Sequence, residues 1–348
     1  MTYDLSLIKT HEAATWVART ELIRLLDRCD QYALTLLLAP AGAGKSTLLE
    51  QWRRMATHGV CVMVTLGKED AEPAHFFSHL DQSLREQVRD FPGISFNQLC
   101  VEAAIPTQRV ADSLRLALEQ VSQQVTIVID DFDHARSSVI HEVIAGLMLQ
   151  LPSNIHFVLA ARRHPEFSLS QLKLKDQLLL LDGNDLKLNR QEVDRFAERL
   201  LSRPLTDQES RKLTSMTQGC AAGIKLALLA GIGKESLPLD VPCSNRDELI
   251  DALLDRVFRD LPEESQHFLL ATAILDRLCA PLCDHLLNRE NSLGILENLL
   301  LGELFVQPCE GQEGWYRYHS LFRSCLLRRL EAGDAETIRL LHQRAAKW

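Results

Sequence analysis

The sequence lacks the features that mark several whole classes of protein. It contains no apolar run near the roughly 18 residues that a membrane-spanning helix requires. Its first residues, Met-Thr-Tyr-Asp, have neither the basic start nor the apolar core of a secretion signal. The nine cysteines include no CxxC pair, the usual spacing of redox and zinc-binding cysteines. These absences predict a cytoplasmic protein that has no membrane association and keeps its thiols reduced.

Cations are also in the minority. The 38 lysines and arginines face 47 aspartates and glutamates, which gives a net charge of −9. This balance argues against non-specific nucleic-acid binding by the bulk surface, although it does not exclude one local basic face. Cys279, Cys283 and His285 lie close together, but the leucines around them predict a buried helix rather than a metal site. The 348 residues, of which 46% are hydrophobic, suffice for two or three domains with their own cores.

The first half of the chain alternates short apolar runs with longer amphipathic segments. The predicted strands are 34–39, 60–66, 125–130, 155–160 and 177–181. The predicted helices between them are 45–57, 73–89, 107–123 and 139–151. Near-continuous Val, Ile and Leu strands separated by helices predict an α/β fold whose parallel sheet is covered by helices on both faces.

From about Asp185 the strand pattern gives way to helical periodicity. The predicted helices are 190–201, 207–217, 221–231, 247–259, 263–275, 281–287 and 292–301. Two short β-like runs, 303–307 and 315–319, then flank a turn, and a helix at 321–330 follows. Helices followed by a hairpin and another helix are typical of a winged helix. The predicted domains are 1–184 (nucleotide-binding), 185–240 (helical), 241–332 (winged helix) and 333–348 (start of a further helical region).

Residues 39–47, Ala-Pro-Ala-Gly-Ala-Gly-Lys-Ser-Thr, follow the first predicted strand and open a helix. That setting is typical of the phosphate-binding loop of a P-loop NTPase, in which backbone N–H groups face one anion. Lys45 would reach the β- and γ-phosphates, and the Ser46 hydroxyl would bind Mg²⁺. The pattern departs from the usual one only in Ala39, which replaces the first glycine. The predicted contacts to ATP or ADP in this loop are Pro40, Ala41, Gly42, Ala43, Gly44, Lys45, Ser46 and Thr47.

Charged side chains follow two later strands. The run 125–130 ends in Asp130 and Asp131, and we predict that Asp130 binds Mg²⁺ while Asp131 orients or deprotonates an attacking water. Arg162 follows the strand at 155–160, where it could stabilise charge that develops on the γ-phosphate. The alternative for Arg162, an ordinary surface arginine in a loop, stays open at this point.

A series of motifs in one order carries a family resemblance. They are WVAR at 16–19, APAGAGKST at 39–47 with LLEQW at 48–52, LGKED at 66–70 with Phe76, IVIDD at 127–131, LAAR at 159–162 with Pro165, DL at 185–186, TQG at 217–219 with AG at 222–223, LDR at 275–277 with LC at 282–283, and WYRYHSLF at 315–322. By these motifs the chain resembles the signal-transduction ATPases with numerous domains (STAND), and within them the MalT-like, LuxR-type transcriptional regulators. The family pattern usually has Trp and then Pro or Ala after the glycine, whereas this chain has Cys220 and Ala221 at these positions.

The resemblance implies a switch operated by adenine nucleotides. The nucleotide-binding, helical and winged-helix domains would close over ADP at rest, with His319 reaching the β-phosphate and with Val17 and Arg19 beside the adenine. A small-molecule or protein inducer would open the assembly, ATP would replace ADP, and the protein would self-associate. Slow hydrolysis would reset the switch, and DNA would be bound only through a C-terminal domain that is absent from this chain.

Other functions remain open on the sequence alone. A turnover ATPase of the remodeller or loader type, or a small-molecule kinase, would also need the phosphate-binding loop. The LSGGQ signature of transporter ATPases is missing. A DNA-binding winged helix is disfavoured because the recognition-helix candidate, 292–301, carries no cation.

Overall fold

The computed structural model describes residues 17–55, 59–94, 107–232, 236–237, 239, 246–259, 261–301, 306–309 and 312–348. The chain divides into two compact units: one is Ala18–Lys187, and the other contains Leu188–Trp348 together with Val17. Among the described helices, none combines the length and the apolar character needed to cross a bilayer. The predicted connector over 231–245 lies largely outside the described residues.

A parallel sheet forms the centre of the first unit. Its strands are β1 (Leu34–Leu38), β2 (Val60–Thr65), β3 (Val125–Asp130), β4 (Ile155–Ala161) and β5 (Leu178–Asp182). The described strands of this sheet lie in the order β2-β3-β4-β1-β5, and each pairs in parallel with its neighbours. The carboxyl ends of the strands therefore meet along one edge, which is where open α/β sheets bind their ligands.

Helices cover both faces of this sheet. They are α1 (Thr20–Leu26), α2 (Lys45–Met55), α3 (Pro73–Gln87), α4 (Thr107–Glu119), α5 (Ser138–Leu149) and the short α6 (Ser170–Leu174). On one face, Leu36 and Leu159 lie in a core formed with α3, α4 and α5. On the other face, Leu37 and Val158 pack with α1 and α2. Alternate residues of one strand thus enter two cores, which explains why the strands read as continuous apolar runs.

The predicted sheet is confirmed, and each strand agrees with its prediction within one residue at either end. Helices α3, α4 and α5 end earlier than predicted; α4, for example, ends at Glu119 rather than at residue 123. The sequence analysis does not predict α6, because five residues are too few to show a helical period.

The second unit begins with three helices, α7 (Arg190–Leu201), α8 (Asp207–Thr217) and α9 (Ala221–Leu229). A capping box starts α7, in which Asn189 and Glu192 satisfy each other's backbone N–H groups. Thr206 and Glu209 form the same arrangement at the start of α8. These reciprocal caps are sequence-encoded start signals, and both helices have the predicted bounds.

A winged-helix arrangement follows. Its elements are α10 (Arg246–Arg259), α11 (Glu263–Thr272), α12 (Ala280–Leu287), α13 (Ser292–Leu301), β6 (Val306–Pro308), β7 (Tyr316–Tyr318), α14 (Ser320–Glu331) and a last helix, α15 (Ala335–Ala345). Strands β6 and β7 form an antiparallel hairpin. Leu278 and Tyr316 exchange two backbone hydrogen bonds of 2.7 Å, which adds a short third member to the hairpin. The predicted order of helices, hairpin and helix is confirmed.

One hydrophobic core runs through the described part of the second unit. It includes Val193 and Leu213 from the first three helices and Leu253, Phe268 and Phe322 from the winged-helix elements. The two sets of elements therefore stabilise each other, and their finer division at 240 and 332 stays a prediction.

Candidate nucleotide-binding site

The loop between β1 and α2 has the backbone of a phosphate-binding turn. Gly42 and Gly44 have φ angles of 77° and 91°, which a residue with a Cβ adopts only with strain. Helix α2 starts directly afterwards, with the Leu48 N–H donating to the Gly44 carbonyl at 2.9 Å. The N–H groups at the start of a helix and the helix dipole together favour an anion.

Ala39 stands where the usual pattern has glycine, and its surroundings explain why alanine is accepted there. Its N–H donates to the Ala161 carbonyl at 3.1 Å, which continues the β1–β4 pairing by one residue. Ala39 is absent from the set of described residues with positive φ, and its side chain is 2% exposed in the core under α1 and α2. The position that usually carries glycine thus continues strand β1 in this protein, and it accepts alanine for that reason.

Lys45 places its ammonium inside the loop. Nζ donates to the Ala39 carbonyl at 2.6 Å and to the Pro40 carbonyl at 3.2 Å, and the residue is 7% exposed. Burial lowers the pKa of Lys45, and the nearby charge of Asp130 opposes that shift. A buried cation held by neutral carbonyls is suited to receive an anionic phosphate group.

Asp130 ends β3 beside this loop. It is 1% exposed, and its Oδ1 accepts a 2.9 Å hydrogen bond from the Asp131 N–H. Its backbone is fixed from the opposite side, because its carbonyl accepts from the Leu66 N–H at 3.1 Å. Asp130 is thus a buried carboxylate in a fixed position, and it lies close enough to Lys45 to affect the pKa of that residue. Carboxylate oxygens are ligands that Mg²⁺ prefers.

Asp131 and Arg162 lie at the tips of neighbouring strands and face each other. Asp131 has a left-handed backbone with φ of 52°, so the extended conformation of β3 ends before it. An Asp131 Oδ1 lies 3.8 Å from an Arg162 Nη2. The Arg162 N–H donates to an Oδ2 of Asp133 at 2.8 Å. Asp133 was not predicted as a site residue, because the sequence analysis assigned roles only to Asp130 and Asp131, the two acids that directly end the strand.

Val17 and Arg19, which the resemblance places beside the adenine, have defined positions of their own. Val17 is buried in the core of the second unit. Arg19 is 8% exposed, and its guanidinium donates to the carbonyls of Leu186 at 3.0 Å and Lys187 at 3.1 Å. The guanidinium thus holds the chain that leaves β5, and nucleotide contact by Val17 or Arg19 stays a prediction.

His319 lies at the junction of β7 and α14, and it is half-buried. Its carbonyl accepts from the Arg323 N–H at 3.0 Å, which begins α14. On the strand side, the Tyr318 hydroxyl lies 2.6 Å from the Thr272 hydroxyl, at the end of α11. Burial raises the pKa of Tyr318, so this phenol stays protonated.

Arg323 fixes the other side of His319. Its Nε donates to the Ala273 carbonyl at 2.9 Å, one Nη to the Ile274 carbonyl at 3.1 Å, and the other lies 2.6 Å from Asp276. The first turn of α14 is therefore tied to the end of α11, which gives His319 a rigid base within the winged helix. Contact between His319 and a phosphate stays a prediction.

A loop anchored by Asp70 follows β2 and borders the acidic edge, since Leu66 in this loop pairs with Asp130. Asp70 is 2% exposed; its Oδ2 accepts from the Gly67 N–H at 2.6 Å, and its Oδ1 lies 3.0 Å from the Nδ1 atoms of both His75 and His79. Burial raises the pKa of Asp70, but hydrogen bonds from His79, Gly67 and His75 outweigh burial and lower it to about 2.

Comparison with known families assigns both ends of the chain. Residues 28–167 match the AAA domain, and residues 254–338 match the MalT winged helix domain. The chain therefore combines an AAA domain with a MalT winged helix domain and resembles the MalT-like P-loop NTPases. The resemblance inferred from the motif order is confirmed, and the AAA domain implies that the first unit binds nucleotide.

Two curated relatives extend this likeness over nearly the whole chain. Both are named HTH-type transcriptional regulator MalT, from Vibrio parahaemolyticus serotype O3:K6 and Vibrio campbellii. Each is 26% identical over 342 residues, which cover 95% of this chain and 37% of the relative. This MalT-like chain therefore spans little more than a third of the length of those regulators.

A solved structure shows the same fold. It is a STAND protein with a tetratricopeptide repeat sensor from Pyrococcus horikoshii, with a TM-score of 0.63 and 16% identity. The match covers 95% of this chain and 45% of the other. The parallel sheet followed by helices and a winged helix is thus an architecture known from the STAND class.

The Asp70 cluster generates a prediction about acid stability. Because the pKa of Asp70 is lower in the folded state, its ionised carboxylate stabilises the fold at every pH above the ordinary aspartate pKa. This contribution is lost as the pH falls towards 2. Asp70→Asn should therefore lower the free energy of unfolding by about 2 kcal/mol at pH 7, and the gap to the wild type should narrow below pH 4. Urea denaturation at pH 7, 5 and 3 measures this, with exposed Asp30→Asn as the control. A gap that is the same at pH 7 and pH 3 contradicts the prediction.

Proposed function

We propose that this MalT-like module is an ADP/ATP-binding signal-transduction switch of a transcriptional activator. One observation carries the proposal: the buried Lys45 of a glycine turn lies with Asp130 at one edge of the sheet, in a chain that also carries a MalT winged helix domain. A nucleotide-binding domain in the same chain as this winged helix domain is more typical of a regulatory protein than of a metabolic enzyme.

The described residues fit a nucleotide. The loop 40–47 would hold the phosphates through its N–H groups and the Lys45 ammonium, and Ser46 with Asp130 would hold Mg²⁺. Bound Mg²⁺ would neutralise phosphate charge. The orientation of Lys45 by two carbonyls prepares its cation before any ligand arrives, so little reorganisation opposes binding.

Hydrolysis in this proposal depends on Asp131 and Arg162. Asp131 would accept the proton of an attacking water, and Arg162 would stabilise charge on the terminal phosphate. The two side chains are partly exposed, at 25% and 36%, and they neutralise each other. Both features weaken catalysis, because exposed charges act through a high dielectric constant. We therefore propose a weak ATPase whose slow turnover resets the switch.

The switch itself would work through His319. We propose that its imidazole contacts the β-phosphate of ADP and so favours a closed resting form. A small-molecule or protein inducer would favour the open form, ATP would replace ADP, and the protein would self-associate. The matched relatives are named HTH-type regulators, and we propose that DNA is bound by such a domain outside this chain.

Nucleotide content and turnover rate together test this function. We expect ADP to be found in the purified protein by chromatography, and we expect steady-state hydrolysis well below about one ATP per second, the low end of ordinary enzyme rates. Faster turnover would favour the alternative, a remodeller- or loader-type ATPase or a small-molecule kinase. A protein that contains no nucleotide and has no affinity for ADP would rule out the switch.

Lys45→Ala should abolish nucleotide binding, because the site then loses its buried cation while the negative charges of Asp130 and Asp131 remain. Equilibrium titration with a fluorescent ADP analogue measures the loss, which we expect to exceed about 100-fold, as for a charged hydrogen-bonding partner. Lys173→Ala removes an exposed lysine from the same unit and serves as the control. Equal affinities of the two variants would exclude Lys45 from the site.

His319→Ala should speed ADP release, because the closed form loses its contact from the winged helix. We expect the dissociation rate to rise about tenfold, the effect of one hydrogen bond to a charged group. Stopped-flow displacement of a labelled ADP measures this rate. His267→Ala, an exposed histidine of the same winged helix, should release ADP at the wild-type rate. Unchanged release by the His319 variant would remove His319 from the site.

A further inference from the structure

Asp133 joins the tips of two strands at the candidate site. It lies in the short 3-10 turn Phe132–His134 that follows β3, and its Oδ2 accepts from the Arg162 N–H at 2.8 Å. Arg162 is the first residue after β4, which is the parallel neighbour of β3. A carboxylate that accepts a backbone N–H forms one of the stronger hydrogen bonds in proteins.

Arg162 is thus held at two points of unequal strength. Its backbone is fixed by the 2.8 Å bond to Asp133. Its guanidinium lies 3.8 Å from Asp131, which is too long for a hydrogen bond, and the side chain is 36% exposed. Ion pairs of this kind contribute little free energy and exchange easily. The main chain of Arg162 is fixed while its cation can change partner.

The electrostatics place Asp133 in the same site. Burial lowers the pKa of Lys45, Arg162 lowers it further, and the charges of Asp130, Asp131 and Asp133 oppose that shift. All four groups therefore act on the ammonium of the phosphate-binding loop. Asp133 is close enough to this cation to belong to the site, although the side chain itself bonds to the backbone of Arg162.

We propose that Asp133 is a positioning residue for Arg162. By holding the backbone at the β4 tip, it lets the guanidinium leave Asp131 and reach the terminal phosphate of ATP. ADP has no such phosphate, so Arg162 then stays with Asp131. The pair Asp133–Arg162 thereby gives the site a preference between ATP and ADP. This inference rests on the proposed nucleotide switch and adds to it Asp133, the residue that positions Arg162 for the terminal phosphate.

Three variants separate positioning from a general effect of charge. Asp133→Ala removes both the acceptor and the charge, whereas Asp133→Asn removes the charge and keeps an amide oxygen that can accept from the Arg162 N–H. Asp81→Ala is a matched control, since Asp81 also accepts a backbone N–H, that of Ile94 at 2.6 Å, and pairs with an arginine, Arg85, at 2.7 Å. All three are studied in the full chain.

Two measurements need no turnover. Hydrogen exchange of the nucleotide-free protein measures how strongly the Arg162 N–H is protected. Titration with ADP and with a non-hydrolysable ATP analogue measures the preference of the site between the two nucleotides. In Asp133→Ala, the Arg162 N–H should exchange about tenfold faster than in the wild type. This variant should also bind the ATP analogue about tenfold more weakly, with little change in its affinity for ADP. Both effects have the size expected for one charged hydrogen bond. Asp133→Asn should stay within about threefold of the wild type in both. Asp81→Ala should keep the wild-type preference.

Several outcomes overturn this inference. One is an Asp133→Asn variant as impaired as Asp133→Ala, since charge alone would then explain the effect. Another is an Asp133→Ala variant with wild-type exchange at Arg162 or with an unchanged preference. Wild-type protein that binds neither nucleotide would instead contradict the proposed switch itself, so the two failures are distinguishable.

Discussion

The burial of the parallel sheet on both faces is the constraint on which the rest of the first unit depends. Leu36 and Leu37 are successive residues of β1, yet each is fully buried in a different core. No charged side chain can lie inside such strands without a large desolvation cost. Charged groups are therefore confined to the strand ends, and parallel pairing brings those ends to one edge. Asp130, Asp131 and Arg162 meet there because the sheet excludes them elsewhere.

Sequence reasoning succeeds where this constraint is strongest. The apolar runs identify all five described strands of the sheet, and the glycine turn and the carboxylates after β3 identify its functional edge. The capped helices α7 and α8 are found at their bounds because their start signals are local. Helix α6 is missed because it is too short to show a period, and several predicted helices run too long because periodicity does not show where the last turn ends.

Contacts between distant side chains and backbone explain what the sequence could not reveal. Asp133 accepts a hydrogen bond from the N–H of a residue 29 positions away, a contact that the Asp-Asp-Phe-Asp run does not indicate. Asp70 was noted only as part of a motif, yet two histidines of α3 converge on it. Ala39, which seemed a defect in the motif, needs no glycine because it continues β1. Each of these conclusions requires knowing which distant residues the fold brings into contact.

The same geometry bears on why a switch fits this site better than fast turnover. Strong electrostatic catalysis needs fixed dipoles in a site that excludes water. Lys45 and Asp130 meet that condition, being 7% and 1% exposed, and they are the groups proposed to bind phosphate and Mg²⁺. Asp131 and Arg162, proposed to act on the bond that breaks, are partly exposed and compensate each other. Buried binding groups beside exposed catalytic groups favour long retention of the nucleotide over its rapid hydrolysis. That asymmetry agrees with the proposed switch, in which slow hydrolysis would set the lifetime of the ATP-bound form.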